Sequence, residues 1–395
     1  MFPLLLALLH SQAPADTLTL EGALVHARAA RGTAAGVAAL VDLARGESRA
    51  LALVPNPLVQ FEHDASSPTN KLTVTQPIDW IVQRGAARGV GRALVNRAVA
   101  DSQQVLAELG REVRRAFHAA LAADATELLA AEQVRLADSI RTFARRRLDA
   151  GDISQLDLEQ VVQEGGRARV TYSRAREAAR VARITLGRAV GWRERAPPVP
   201  TGGLDDGLDD PAIAVSPVSP SEHLPPIARA VADSAAAATQ LQLAHRSRLP
   251  IPALIIGREW GPAWSTSAGS IVGFSLPLPL SNQGGERSAL AAAAADRAIA
   301  ATHEARLAAV ARVAQAEERL REATWRARFA RDSLAPAASR LREGTVRLFD
   351  AGQVGVLDVF EALRAEREVA QSTITELLAY QEARAEWLAA MGAWQ

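Results

Sequence analysis

Asp149-Ala150-Gly151-Asp152-Ile153-Ser154-Gln155-Leu156-Asp157 returns in the second half of the chain as Asp350-Ala351-Gly352-Gln353-Val354-Gly355-Val356-Leu357-Asp358. Gly191 maps onto Gly392 at the same spacing, and Gln83 and Gly85 map onto Gln283 and Gly285 at nearly that spacing. One Asp-Ala-Gly match means little. Agreement of breaks, prolines and helix ends over two long stretches marks an internal duplication.

Each Asp-Ala-Gly stretch interrupts a long helical pattern. Outward from the first, the periodicity predicts a helix over 85–150 and another over 154–191. Outward from the second, it predicts one over 285–350 and a last one ending at Gly392. Further helices are predicted over 18–46 and 223–247. Between Val54-Pro55-Asn56-Pro57 and Pro77, segments 58–62 and 71–76 alternate as strands around a Ser-Pro-Asn turn. Segments 253–259 and 270–276 repeat this before Pro277. The order is helix, strand, strand, long helix, break, helix, twice over.

The predicted fold class is therefore mainly α with a small β part, built from a duplicated strand-strand-long helix-helix unit. The expected divisions are 1–15, 16–194, 195–226 and 227–395. The first is an export signal, with the apolar run Phe2 to Leu9 and cleavage after Ala15. An apolar tail that is not a signal is the alternative. Residues 16–194 and 227–395 are the repeats. Residues 195–226, rich in Pro, Gly, Asp and Ser, are a linker with no recognisable chemistry.

Helix lengths constrain the packing. Segment 85–150 spans about 99 Å, and 154–191 with 223–247 about 57 and 38 Å, so two shorter helices stacked end to end match the long one. So long a helix needs lateral partners throughout, which means coiled-coil packing.

Composition narrows the function. The chain has 395 residues, with 45 basic against 44 acidic, which argues against a nucleic-acid binder. All basic residues but Lys71 are arginine. Zero cysteines exclude disulfides, zinc-thiolate sites, a cysteine nucleophile and a lipid anchor on cysteine. The histidines show no pair three or four apart, so no helical metal site is expected. The glycine-rich stretch 84–92 lacks the Lys-Ser/Thr of a phosphate loop. No nucleophile elbow is present. No catalysis and no cofactor are expected.

No stretch beyond the short N-terminal run is apolar enough for a spanning helix, so any membrane crossing must use strands. Val59 and Phe61 alternate with Gln60 and Glu62, Leu72 and Val74 with Thr73 and Thr75, and Val272 and Phe274 with Gly273 and Ser275. One apolar face and one small or polar face is the transmembrane-barrel pattern. Trp80, Trp260 and Trp264 stand just past strand ends, where interface aromatics belong. Four strands cannot close a barrel, which takes about eight. Either several chains share one barrel, or the sheet is soluble and packs on a helix.

With these residues in place, the sequence resembles the TolC-like outer-membrane efflux proteins. The paired Asp-Ala-Gly tips carry the resemblance, with Pro55-Asn56-Pro57, Gln76-Pro77 and Gly273-Phe274-Ser275-Leu276-Pro277-Leu278-Pro279. It covers about Leu18 to Gly392. It implies a homotrimer whose α-helical barrel continues into a shared 12-stranded β-barrel in outer-membrane lipid. The chain would then be the outer-membrane channel of a tripartite efflux system. It would have a long periplasmic extension and dock to a periplasmic adaptor and an inner-membrane pump. Drugs, metal ions or other solutes would pass outward. Residues 195–226 would form the equatorial belt.

The resemblance also assigns residues. Asp358, Glu361 and Asp157 would line the periplasmic gate, with three copies of each around one axis attracting cations. An acidic residue in a helix's first turn is also favoured by the dipole alone. The family gate uses a basic residue where Val354 stands here. The hairpin tips Asp149, Gly151, Leu156, Asp350, Gly352 and Leu357 would meet the adaptor. Gly151 and Gly352 are expected as helix C-terminal glycines, and Leu156 and Leu357 as tip packing. The rival reading is a soluble periplasmic coiled-coil adaptor or scaffold protein.

Overall fold

A computed structural model describes residues 17–66, 69–78, 83–210, 224–261, 268–280 and 283–392. The proposed signal, Trp80, Trp264 and most of the second half of the linker lie outside them.

The chain runs β1 (Thr17–Leu18), α1 (Leu20–Ala29), α2 (Arg31–Leu51), β2 (Leu58–Asp64), β3 (Thr69–Pro77), α3 (Arg84–Asp149) and α4 (Gln155–Val190). It continues with β4 (Val199–Pro200), α5 (Pro225–Arg246), β5 (Ala253–Trp260), β6 (Ala268–Ser275) and α6 (Gly285–Phe329). A π-helical segment (Ala330–Leu334) leads into α7 (Ala335–Asp350), and α8 (Val356–Met391) ends the described chain. No described helix is long and apolar enough to cross a membrane.

Two expectations need correction. The N-terminal helix is two helices, parted at Ala30, whose backbone is non-helical (φ −56°, ψ 123°). The second long helix contains the π segment, whereas α3 runs unbroken for 66 residues. Pro336 follows the π turn, at the start of α7. Its missing N–H suits a place where the ladder is already broken.

The chain divides into two compact units that cut across the duplication. Unit 1 comprises Met1–Ala34, Leu106–Pro220 and Val310–Gln395, and unit 2 comprises Ala35–Val105 and Ser221–Ala309. Each takes part of both repeats.

Unit 2 holds a four-stranded antiparallel sheet in the order β2-β3-β5-β6. Register places Val59 opposite Val74, Phe61 opposite Leu72, Val74 opposite Ile256, Ile256 opposite Val272 and Leu254 opposite Phe274. Opposed residues share a face, so these apolar residues, all exposed, lie on one face, which Gln76, Arg258 and Ser270 share. The other face carries the Glu62–Lys71 pair at 3.7 Å. Gly257 is fixed by the same pairing, since a Cβ there would sit 2.5 Å from the Leu72 carbonyl oxygen. The α-helical part of the unit is tied by Arg97–Asp233 at 3.0 Å and Arg229–Asp101 at 3.1 Å.

Unit 1 holds the later part of α3, all of α4, the end of α6, all of α7 and α8, and four apolar clusters. One packs Leu18, Ala23, Val113, Phe117, Leu186 and Val190. The two-residue parallel pairing of β1 with β4 closes beside it, through Thr17 opposite Val199 and Leu18 opposite Pro200. A ladder of ion pairs joins the antiparallel helices: Arg183–Asp124 at 2.9 Å, Arg169–Asp138, Arg319–Glu386 and Arg326–Glu376.

Candidate functional site: the paired helical tips

Both Asp-Ala-Gly turns fold alike, for the same local reason. Gly151 and Gly352 adopt left-handed backbone (φ 81° and 69°), which only glycine takes without strain. That lets the Gly151 N–H reach the Leu148 carbonyl (2.9 Å) and the Asp152 N–H reach Arg147 (2.9 Å). In the second tip Gly352 donates to Phe349 (3.0 Å) and Gln353 to Leu348 (2.9 Å). Each is a Schellman closure, satisfying carbonyls that a helix end leaves open.

The next helix then starts under an aspartate. Asp157 Oδ2 accepts the Ser154 N–H (2.9 Å) and the Ser154 hydroxyl (2.8 Å), while Ser154 Oγ accepts the Asp157 N–H (3.2 Å). These bonds, the backbone one first, hold the Asp157 carboxyl below the usual aspartate range. In the second tip Asp358 Oδ2 accepts the Gly355 N–H at 2.8 Å, without a hydroxyl to add. Both aspartates therefore serve their own helix N-terminus. Asp157 is half-buried, whereas Asp358 is exposed, as is Glu361 one turn beyond it.

The two tips share one core. Ala144, Leu158, Val161, Phe349, Val359, Phe360 and Leu363 form it, with Ile153 and Val354 against its edge. Phe143 meets Phe349 edge-on at 5.6 Å, and the Arg147 guanidinium lies over both rings, 5.6 and 5.0 Å from their centroids. Arg147 also faces Asp152 at 3.8 Å, and Arg364 pairs with Glu164 across the repeats. Leu156 and Leu357 do not pack the tip as expected: they are 67% and 55% exposed. The inward positions go to Leu158 and Val359, because the capped first turn aims the preceding leucine outward.

Of the expected interface aromatics only Trp260 is described. It ends β5, opposite Asn70 and Ala268, with its ring 6.4 Å from Phe61.

The segment read as a plain linker is pinned to the helices over its described part. Leu204 and Leu208 are buried. Gln381, 2% exposed, donates to the carbonyls of Leu204 (2.8 Å) and Asp206 (3.0 Å), and Arg384 to Asp206 (3.1 Å). Arg328 donates to the Leu208 carbonyl at 2.6 Å, and Arg331 grips Asp209 at 3.0 and 2.9 Å. Leucines recurring among aspartates in 204–209 were the available signal. Nearby, His118 is buried beside Arg384 and Arg114; burial first, then these cations, lower its pKa to about 4. No group of histidines and carboxylates that could hold a metal occurs among the described residues.

The sequence profile described as "Outer membrane efflux protein" matches residues 27–192. The chain is 27% identical over 262 residues to the nickel-cobalt-cadmium resistance protein NccC of Alcaligenes xylosoxydans xylosoxydans. That alignment covers 64% of this chain and 58% of NccC, less than two thirds of the relative's own length. The fold is that of the outer membrane protein VceC from Vibrio cholerae, with a TM-score of 0.76 at 15% identity over 94% of this chain and 96% of VceC. It is equally similar to CusC (TM-score 0.75, 16% identity, 94% and 91% covered). The open-state MtrE outer membrane channel of Neisseria gonorrhoeae also matches (TM-score 0.71, 16% identity, 94% and 88% covered). The doubled tips and the four-stranded sheet thus belong to a chain that has the fold of these outer-membrane channels and matches the outer membrane efflux protein pattern over residues 27–192.

Proposed function

We propose that this protein is the outer-membrane channel of a tripartite efflux system and catalyses no reaction. The observation that carries the reading is the sheet. One face is mainly apolar and its apolar residues are exposed, and β2 and β6 each keep one edge unpaired among the described residues. Open edges cannot face lipid, so the sheet must be completed by other copies. Three copies would give a 12-stranded barrel in the outer membrane, with the helical hairpins extending into the periplasm. The repeats 16–194 and 227–395 would stand side by side in each copy, with 195–226 as a belt.

In this reading the tips form the periplasmic end. Exposed Asp358 and Glu361, with half-buried Asp157, would ring the constriction, and exposed Leu156 and Leu357 would offer apolar contacts to a periplasmic adaptor. The energy would come from an inner-membrane pump. The relation to NccC favours divalent transition-metal cations as cargo, which an acidic ring would admit. A soluble adaptor or scaffold would not leave such an apolar sheet face uncovered.

Fractionation tests the reading. The protein should stay with outer membranes through a high-salt wash and run as a trimer in detergent by native mass spectrometry. A monomer released without detergent would overturn it.

A further inference from the structure

We propose that the sheet holds the phosphate of an outer-leaflet lipid on Arg258. The proposal rests on the channel reading, since the sheet meets lipid only there, and deepens it to a ligand and a place.

Register sorts the mainly apolar face into levels about 7 Å apart, two residues of strand rise each. His63, Asn70, Trp260 and Ala268 stand side by side at the first level. Phe61, Leu72, Arg258 and Ser270 make the second. Val59, Val74, Ile256 and Val272 make the third, which is wholly apolar. The first level lies at the ends that join β2 to β3 and β5 to β6, whereas the opposite ends of β3 and β6 run on to α3 and α6. In a channel whose helices reach the periplasm, the first level is the outward one.

Arg258 is therefore a cation one step inside the outer end of a lipid-facing surface. It is exposed, and it makes no hydrogen bond or ion pair among the described residues. Strand alternation denies it an acid. Glu62 and Glu259 share a level of the other face with Lys71, and Asp64 belongs to that face too. No residue of the three levels around Arg258 is acidic. A bare guanidinium against hydrocarbon is costly, and the cost falls when its long stem carries the charge up to the headgroups. Phosphate oxygens at that height match the planar fork of donors two at a time.

The surroundings leave room for a ligand. Beside Arg258 on β6 stand Ser270 and, one level outward, Ala268, both small and exposed. Ser270 adds a hydroxyl donor next to the guanidinium. The Trp260 ring does not cover the spot: its centroid is 6.4 Å from that of Phe61, two strands away, so it leans over β3. One level inward, exposed Ile256 and Val272 offer a wall for acyl chains. A head contact set on an apolar wall fits an amphiphile, and free phosphate would use the head contact alone.

Native mass spectrometry of full-length trimers in detergent, titrated with diphosphorylated lipid A, tests the proposal. Arg258→Gln should weaken binding about tenfold, the loss of one charge-assisted contact, at unchanged trimer mass. Lys71→Gln should bind as the unaltered protein does, because its charge lies on the other face. Equal affinity of Arg258→Gln trimers and unaltered trimers would overturn the proposal and leave the channel reading intact. So would an equal loss in Lys71→Gln, which would mean unspecific attraction. Displacement of the lipid by a modest excess of inorganic phosphate would also overturn it, since the site would then be an anion site without a lipid. Monomers in detergent would remove both readings.

Discussion

The Arg147 guanidinium lies 5.0 Å from the centre of the Phe349 ring, so a cation from the first repeat's tip caps an aromatic from the second. The rings of Phe143 and Phe349 complete the contact. The two hairpins of one chain therefore end in a common core. Phe349→Ala should cost about 3 kcal/mol, the usual loss for a truncated buried phenylalanine. Amide exchange should report it as lost protection confined to the residues flanking both Gly151 and Gly352. Loss at the second tip alone would show the tips to be independent.

Glu361 should govern ion selectivity without governing the fold. Its carboxylate is exposed, whereas Asp358 caps its own helix. In planar bilayers Glu361→Gln should lower the preference for cations over anions several-fold at unchanged thermal stability. Asp358→Asn should do the same and also loosen the tip, at about 1 kcal/mol for a weakened cap. Unchanged selectivity in both variants would remove the acidic ring.

His118 predicts a pH dependence. Burial, then Arg384 and Arg114, lower its pKa to about 4, against an unfolded value of about 6.5. A lowered folded value means the unfolded chain binds the proton more readily. Stability is thus complete above about pH 6.5 and falls as pH drops toward 4, by on the order of 2 kcal/mol at pH 4.5. Thermal unfolding at pH 7 and pH 4.5 should show the drop, and His118→Leu should reduce it.

Gln381 holds the loop after β4 through two carbonyls, those of Leu204 and Asp206. Gln381→Leu leaves both without that donor in a buried place, at a cost of about 2 kcal/mol. Limited proteolysis should then cut within 203–210 while α8 stays intact. Unaltered cleavage would mean that Arg384 and Arg328 suffice as anchors.

What could be read from the sequence was local and repeated. Asp-Ala-Gly fixed both Schellman turns, Ser154 and Asp157 fixed a helix start, and alternation fixed the sheet faces down to Phe61 and Phe274. The π segment was illegible because Ala330, Arg331, Asp332, Ser333 and Leu334 are all tolerable in an α-helix; only the change of apolar phase betrays it. The exposure of Leu156 and Leu357 was also hidden, since hydrophobicity alone does not say which leucine near a cap turns inward. The pinned loop escaped because its anchors, Gln381 and Arg328, lie far along the chain. The tip aspartates illustrate a different limit: one residue type suits both a cap and an acidic ring, and a single copy displays only the first.

The order β2-β3-β5-β6 has a consequence for biosynthesis. β3 hydrogen-bonds to β5, and the whole of α3, α4 and α5 is made between them. A lone two-stranded hairpin is marginal in water. The β2–β3 ribbon must therefore wait for its neighbouring strand until the ribosome has delivered Ala253 onward. Distant pairing of this kind is slow and prone to clumping. The sheet can therefore close only after more than half of the chain has been made.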